Sequence, residues 1–380
     1  MRRQLERVEI RGEDAACARA WNVVRMAFAE REPVERPSHW LRVAAVSVAI
    51  SALLAAALSP PGRAVLDEIR EVVGVERAQP ALFSLPTPGR LLVSSDAGVW
   101  VVQRDGSKRL LGPYREASWS PLGRFVVAAR ENELAALEPD GDVRWTLARP
   151  GVKSPRWTGT ETDTRIAYID RTGLRVVAGD GTDDRLLIPR FRGLLAWRPG
   201  GDFVLAHASA RETRVVDVAS GRTLWRVANL PAVAPTQLEW STDGRALLVV
   251  SPRRLVVRGP DGGVRYELGP GADWIRAAAH APGADSLAFA QDGGVRGTVW
   301  VVPRIRADAS VARRLFSGAS RFADVSWAPL DGRWVLVTWP TAEQWVFVRS
   351  NGSGIRAVSN VSEQFRSRAF PRIEGWCCAR

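Results

Sequence analysis

Histidine, lysine, tyrosine, methionine and cysteine are all scarce in this chain of 380 residues, which has three His, two Lys, three Tyr, two Met and three Cys. His39, His207 and His280 lie far apart, and no cysteine pair falls beside any of them. That spacing excludes the usual zinc-ligand patterns, so no metal is expected. No Gly-x-Ser-x-Gly segment occurs, and no alternation of strands and helices follows the β-rich part. A serine-nucleophile domain is thereby excluded. No glycine-rich loop opens a helix to cradle phosphate, and no cofactor is expected. Cys17 stands alone, while Cys377 and Cys378 are adjacent. Neighbours in a strand point to opposite faces. The sequence therefore predicts one buried and one exposed thiol at the C-terminus, with a vicinal disulfide as the lesser alternative.

Tryptophan, by contrast, is abundant, with sixteen residues. Trp119, Trp157, Trp197, Trp240, His280, Trp327 and Trp376 are separated by 38, 40, 43, 40, 47 and 49 residues. A period of this size is the signature of a repeat architecture. Four blocks align: ASWSPLGRFVVAA from Ala117, LAWRPGGDFVLAH from Leu195, LEWSTDGRALLVV from Leu238 and VSWAPLDGRWVLVT from Val325. Each has a short apolar run ending in Trp, a turn with Pro or Asp and Gly, and a second apolar run. A second turn follows in each block. These are Asp105-Gly106, Asp140-Gly141, Asp180-Gly181, Ser220-Gly221, Asp261-Gly262 and Asn351-Gly352. Four strands and two marked turns make one propeller blade. Carboxylates such as Asp140, Asp243 and Asp261 sit in those turns, where backbone capping accounts for them. Two blocks are degraded. The stretch from Pro155 keeps Trp157 but lacks the glycine turn, and the stretch from Ala278 has His280 in the Trp position, read as a packed core residue.

The termini complete the ring. Segments RLLVSS, GVWVVQ and SKRLLG after about Leu82 read as second, third and fourth strands. RAFPRIEGWCC from Arg368 reads as an innermost strand with no blade after it. Joined, they form one blade, giving an all-β, seven-bladed propeller over 81–380; six blades would follow if the last segment packs elsewhere. Closure of this kind hides open sheet edges. The blocks resemble the WD40-like repeats of the TolB family, whose blades carry a W-x-P-D-G-like turn, although no Trp-Asp dipeptide occurs. DVASGRTLW from Asp217 is similar to the quinoprotein propeller motif, in which a Gly-x-x-x-Trp docks blade on blade. Gly141 to Trp145 and Gly262 to Tyr266 echo that spacing. The sialidase-type Asp box is not matched by Ser241-Thr242-Asp243-Gly244.

Formal net charge is +12, carried almost wholly by Arg. With the heavy use of alanine, this is the composition of a high-GC bacterial genome. Roughly +11 falls on the propeller, scattered over turns and strands without a basic stripe. No nucleic-acid partner is expected.

Residues 43–59, VAAVSVAISALLAAALS, carry no charge and are bounded by Arg42 and by Pro60-Pro61-Gly62-Arg63. The run reads as a transmembrane helix over 42–59, ahead of a cleaved leader or a buried helix. Arg25, Arg31, Arg36 and Arg42 on one side place the N-terminus in the cytoplasm and the propeller outside. Residues 60–80 read as a short juxtamembrane helix and linker. In the 1–41 segment, Cys17, Trp21, Val24 and Phe28 form one stripe of an amphipathic helix over 13–32. That stripe needs the membrane surface, a copy of itself or a cytoplasmic partner. This layout resembles single-pass anti-sigma regulators, though the His-x-x-x-Cys-x-x-Cys zinc motif is absent. The expectation is a non-enzymatic, membrane-anchored extracytoplasmic scaffold that binds a protein or envelope ligand at the propeller face. The alternatives are a signalling regulator with an outer sensor and an envelope-polymer lyase or hydrolase. No catalytic, cofactor-binding or metal residue is singled out, and the binding residues are left unknown.

Overall fold

The computed structural model describes residues 78–79, 84–229, 234–269, 273–283, 285–305 and 311–378. All of them belong to the compact unit Asp67–Arg380. The expected helices over 13–32 and 42–59 and the juxtamembrane helix expected within 60–80, together with Cys17 and His39, lie outside the described residues. No helix among the described residues is long and apolar enough to cross a membrane.

Seven antiparallel sheets make up the described chain. Six are contiguous and are numbered here as blades 1 to 6: 116–148, 153–189, 194–228, 237–268, 274–319 and 324–358. Blade 7 joins the termini. Its innermost strand, Arg372–Cys377, pairs with Arg90–Ser95, which continues through Gly98–Val102 and Lys108–Gly112. The seven innermost strands touch in succession, and Arg372–Cys377 meets Glu116–Trp119 to complete the circle. The expected closure is therefore observed, and the count is seven.

Strand periodicity explains where the core lies. A blade is covered on both faces by its neighbours, so middle strands are almost wholly buried: Leu247–Ser251 and Trp334–Trp339 have no exposed position. Seven apolar clusters result, one for each interface between adjacent blades. Five of the repeat tryptophans (Trp119, Trp197, Trp240, Trp327 and Trp376) lie at or next to the end of their inner strands with 5–8% exposure. His280 takes the same position at 5% exposure. Burial lowers its pKa to about 4, so it is a neutral core residue at ordinary pH. His207 is likewise buried, set edge-on against Phe191, with its pKa lowered to about 4 by burial.

The second turns behave as their residues dictate. Asp105, Asp140, Asp180, Asp261 and Asn351 each accept a hydrogen bond from the backbone N–H two residues on. Their following glycines have positive φ. Two of these glycines also carry the blade contact anticipated from the Gly-x-x-x-Trp spacing. Trp145 packs on Gly181 of the next blade and Trp225 on Gly262 of the next. The indole N–H groups then donate to the carbonyls of Gly179 and Pro260, at 2.9 and 2.8 Å.

Two features depart from the sequence reading. Ala78–Gln79, placed by sequence in the linker, forms a short fifth strand on blade 6, parallel to residues 357–358. Cys377 and Cys378 are joined by a disulfide rather than presented to opposite faces. The backbone supplies the reason: Cys378 leaves the strand with φ +58°, which breaks the alternation that would separate the two side chains.

Candidate functional site

Blade 2 lacks the glycine turn, and that difference opens a cleft. Its inner strand, Lys153–Gly159, runs two residues past Trp157, whereas those of blades 1, 3, 4 and 6 stop at the tryptophan. The hairpin then turns through 160–163, closed by the Thr160 N–H donating to the Asp163 carbonyl at 2.8 Å. Trp157 is left half-buried, unlike the other five repeat tryptophans. It stacks on Phe125 of blade 1, with centroids 6.2 Å apart and planes inclined by 17°.

A cleft of about 560 Å³ lies over this pair, between blades 1 and 2. Phe125, Trp145, Trp157, Ala136 and Ala178 supply its apolar walls. Leu122, 43% exposed, stands on its rim. The rim is charged but internally balanced. Arg124 meets Glu161 at 3.8 Å, Arg144 pairs with Glu138, and Arg165 pairs with Asp163. Arg144 also lies 5.6 Å from the Phe125 ring centroid. One polar atom is not balanced: the Trp157 Nε1–H is buried without an acceptor. A volume of this size, with apolar walls and a few polar groups, matches the general anatomy of a ligand pocket.

The central channel holds a second set of polar groups. Glu116, Glu239, Asp324 and Glu374 project from four of the inner strands, with Arg156 on a fifth and Arg372 beside Glu374. Burial pushes the Asp324 and Glu239 carboxyls up to about 7. Glu374 is raised by burial too, against the opposing effect of Ser94, Arg156 and Arg372. Ser94 donates to Glu374 at 2.6 Å and Arg372 at 3.1 Å. Glu239 accepts from Gln237 at 3.1 Å, and Glu116 from the Ser154 N–H at 2.5 Å. Asp324 and Glu374 line a small cavity of about 270 Å³ at the channel mouth, with Arg372, Thr338 and Phe370. Among the described residues, no cluster of His, Cys, Asp and Glu could hold a metal ion.

Neither set was singled out from sequence. The channel carboxylates carried a usable signal, because each falls one to three residues before a repeat tryptophan, in a strand otherwise built for burial. The cleft carried a weaker one, the missing glycine after Trp157.

Comparison with protein-family models and with curated proteins finds no match. Solved structures do match. A chain of the crystal structure of a mitotic checkpoint complex has a TM-score of 0.51 at 16% identity, covering 72% of this chain and 81% of that one. The fold is a WD40-like β-propeller. The β-propeller domain of Cps50 (Swd1) from Myceliophteria thermophila is similar at 13% identity, with a TM-score of 0.49, 64% of this chain covered and 86% of that domain. Likeness at these identities concerns the fold alone.

Proposed function

We propose that this chain is a non-enzymatic, membrane-anchored scaffold of TolB-like type, bacterial in origin, whose propeller holds a protein partner outside the cytoplasmic membrane. The observation that carries the binding role is the cleft between blades 1 and 2. There the half-buried Trp157 and Phe125 form an aromatic pair under an open cleft. The uncharged run at 43–59 and the arginines before it support the anchor and its orientation. A partner segment would seat an apolar side chain on Phe125 and Trp157.

Two experiments test this. Full-length chain solubilised from membranes in detergent should co-purify with one protein that Trp157→Ala loses; an unchanged set of companions contradicts the cleft. In a cysteine-free chain, Val295→Cys (88% exposed) should react with a membrane-impermeant maleimide in intact cells. A cysteine restored at position 17 should react only after permeabilisation. The reverse pattern contradicts the topology.

A regulatory reading is favoured by the stripe of Cys17, Trp21, Val24 and Phe28 on the opposite side of the anchor. It requires that residues 1–41 bind a transcription component, which a pull-down checks. The reading as an envelope-polymer lyase or hydrolase would use Asp324 and Glu374 at the channel mouth. The cavity there is below the size range of ordinary ligand pockets.

A further inference from the structure

The Cys377–Cys378 disulfide does not act as a staple. A disulfide stabilises a fold chiefly by closing a loop of chain and so restricting the unfolded state. Here the bonded residues are neighbours, and no intervening segment is held. The contacts that close the ring are the backbone pairs of Arg372–Cys377 with Arg90–Ser95, which do not depend on the sulfurs. A bridge that adds so little to the fold calls for another account.

Its surroundings supply one. Both cysteines are only partly buried, and Cys378 lines an open cleft of about 630 Å³ on the far side of the 121–125 turn from the Trp157 cleft. Its Sγ lies against Gly123, so close that a side chain there would collide with it at 2.7 Å. Three guanidiniums line this cleft. Arg124 and Arg144 are paired with Glu161 and Glu138. Arg90 has no carboxylate partner among the described residues; it donates to the Gly123 carbonyl at 2.6 Å and stacks 4.9 Å from the Trp119 centroid. Its Nε–H is buried without an acceptor. An accessible disulfide beside an uncompensated cation has the setting of a reactive sulfur pair, because the cation stabilises the thiolate that exchange releases.

We propose that Cys377–Cys378 is a thiol–disulfide exchange site whose substrate is a dithiol. A thiolate of the dithiol attacks Cys378 Sγ from the cleft. The S–S bond breaks, Cys377 leaves as a thiolate, and a mixed disulfide joins Cys378 to the substrate. The second thiol of the substrate, deprotonated, attacks its own sulfur in that bond. Cys378 then leaves as a thiolate beside Arg90. The substrate ends as a disulfide, the protein as a dithiol, and two electrons have passed to the protein. The Arg90 guanidinium favours the second departure.

The test uses dithiothreitol as the dithiol and iodoacetamide as the trap, on full-length chain carrying Cys17→Ser, with peptide mass mapping. The native protein should resist alkylation before reduction and gain one adduct on each of Cys377 and Cys378 after it, without denaturant. Arg90→Gln should lower the ratio of reduced to oxidised protein at a fixed ratio of reduced to oxidised dithiothreitol about threefold, as expected when the Cys378 thiolate loses its neighbouring cation, and Arg90→Lys should restore it. Circular dichroism on each variant checks that the sheet structure is kept. Alkylation of both residues before reduction means that no bridge exists and overturns the proposal. Reduction that proceeds only in denaturant overturns the site's accessibility. An unchanged ratio of reduced to oxidised protein in Arg90→Gln overturns the role of the guanidinium.

Discussion

Between about pH 5 and about 7.5 the channel carboxylates should weaken the propeller as the pH rises, against an opposite contribution from the buried His207 and His280. Asp324 and Glu239 have folded-state pKa values raised to about 7 by burial. The ordinary values are 3.8 and 4.5. A raised carboxyl pKa means that the folded state binds more protons than the unfolded state between those limits. Stability is then full below the unfolded pKa and is lost as the pH rises through the folded one. Each pKa unit corresponds to about 1.4 kcal/mol, so Asp324 alone would contribute about 4 kcal/mol in a dry site. Both side chains retain some contact with channel solvent, which screens the effect to about 2 kcal/mol each. The sum is smaller than two independent terms, because Asp324 is itself one of the charges that raise Glu239. Together they should remove about 3 kcal/mol between about pH 5 and 7.5. His207 and His280 act in the opposite sense: burial lowers their pKa values from 6.5 to about 4, so they destabilise the fold as the pH falls and add a similar amount of stability over the same range. The carboxylate effect is therefore read as a difference between two proteins. In urea unfolding followed by tryptophan fluorescence, the midpoint of Asp324→Asn should rise relative to the wild type by about 0.7 M between about pH 5 and 7.5, taking a slope of about 3 kcal/mol/M. Asp184 and Asp292 have lowered pKa values, so their contributions are lost only at more acidic pH and do not enter this window. Parallel pH profiles for the two proteins would refute the reasoning.

Other outcomes follow from the same contacts. Gly262→Ala forces a side chain to within 2.9 Å of Trp225 at φ +87°, and should cost about 2 kcal/mol. Trp225→Ala should cost about 3 kcal/mol by itself, and the double variant less than the sum, since the clash is then absent; a thermal-melt double-mutant cycle checks this. In blade 2, Asp184 is buried and binds Arg149, Arg175 and the Tyr168 hydroxyl, the last at 2.7 Å. Asp184→Ala leaves both guanidiniums without this carboxylate and should cost about 3 kcal/mol in urea unfolding. It should also lower the Tyr168 pKa from about 12, because the carboxylate is one of the groups that hold it up.

The parts of the molecule that were legible in sequence are those where one residue type has one physical reason to be present. The turn at Asp261-Gly262 needs an acceptor and then a positive φ, and Asp and Gly supply them. The same logic exposed the blade docking of Trp225 and the closing strand around Trp376. What escaped depends on relations between blades. Phe125 ends an ordinary blade turn and Trp157 lies in an ordinary inner strand; only the two-residue extension of the blade 2 hairpin makes them a cleft. Glu239 and Asp324 belong to blades 4 and 6, and nothing local says that they share a channel. The Cys377–Cys378 bridge was legible only as the lesser alternative, because Cys378 adopts a left-handed conformation at a point where strand alternation would place the thiols apart. The short strand Ala78–Gln79 has no alternation to read, since it is two residues long.

Site-specific photo-crosslinking tests the partner-binding claim most directly. A benzophenone side chain at Leu122, on the rim of the cleft, is compared with one at Val264, equally exposed at 47% on the outer strand of blade 4. In intact cells the account predicts one discrete protein adduct from position 122, absent from position 264 and abolished by Trp157→Ala. The same adducts from both positions, or an adduct from position 122 that survives Trp157→Ala, would contradict it.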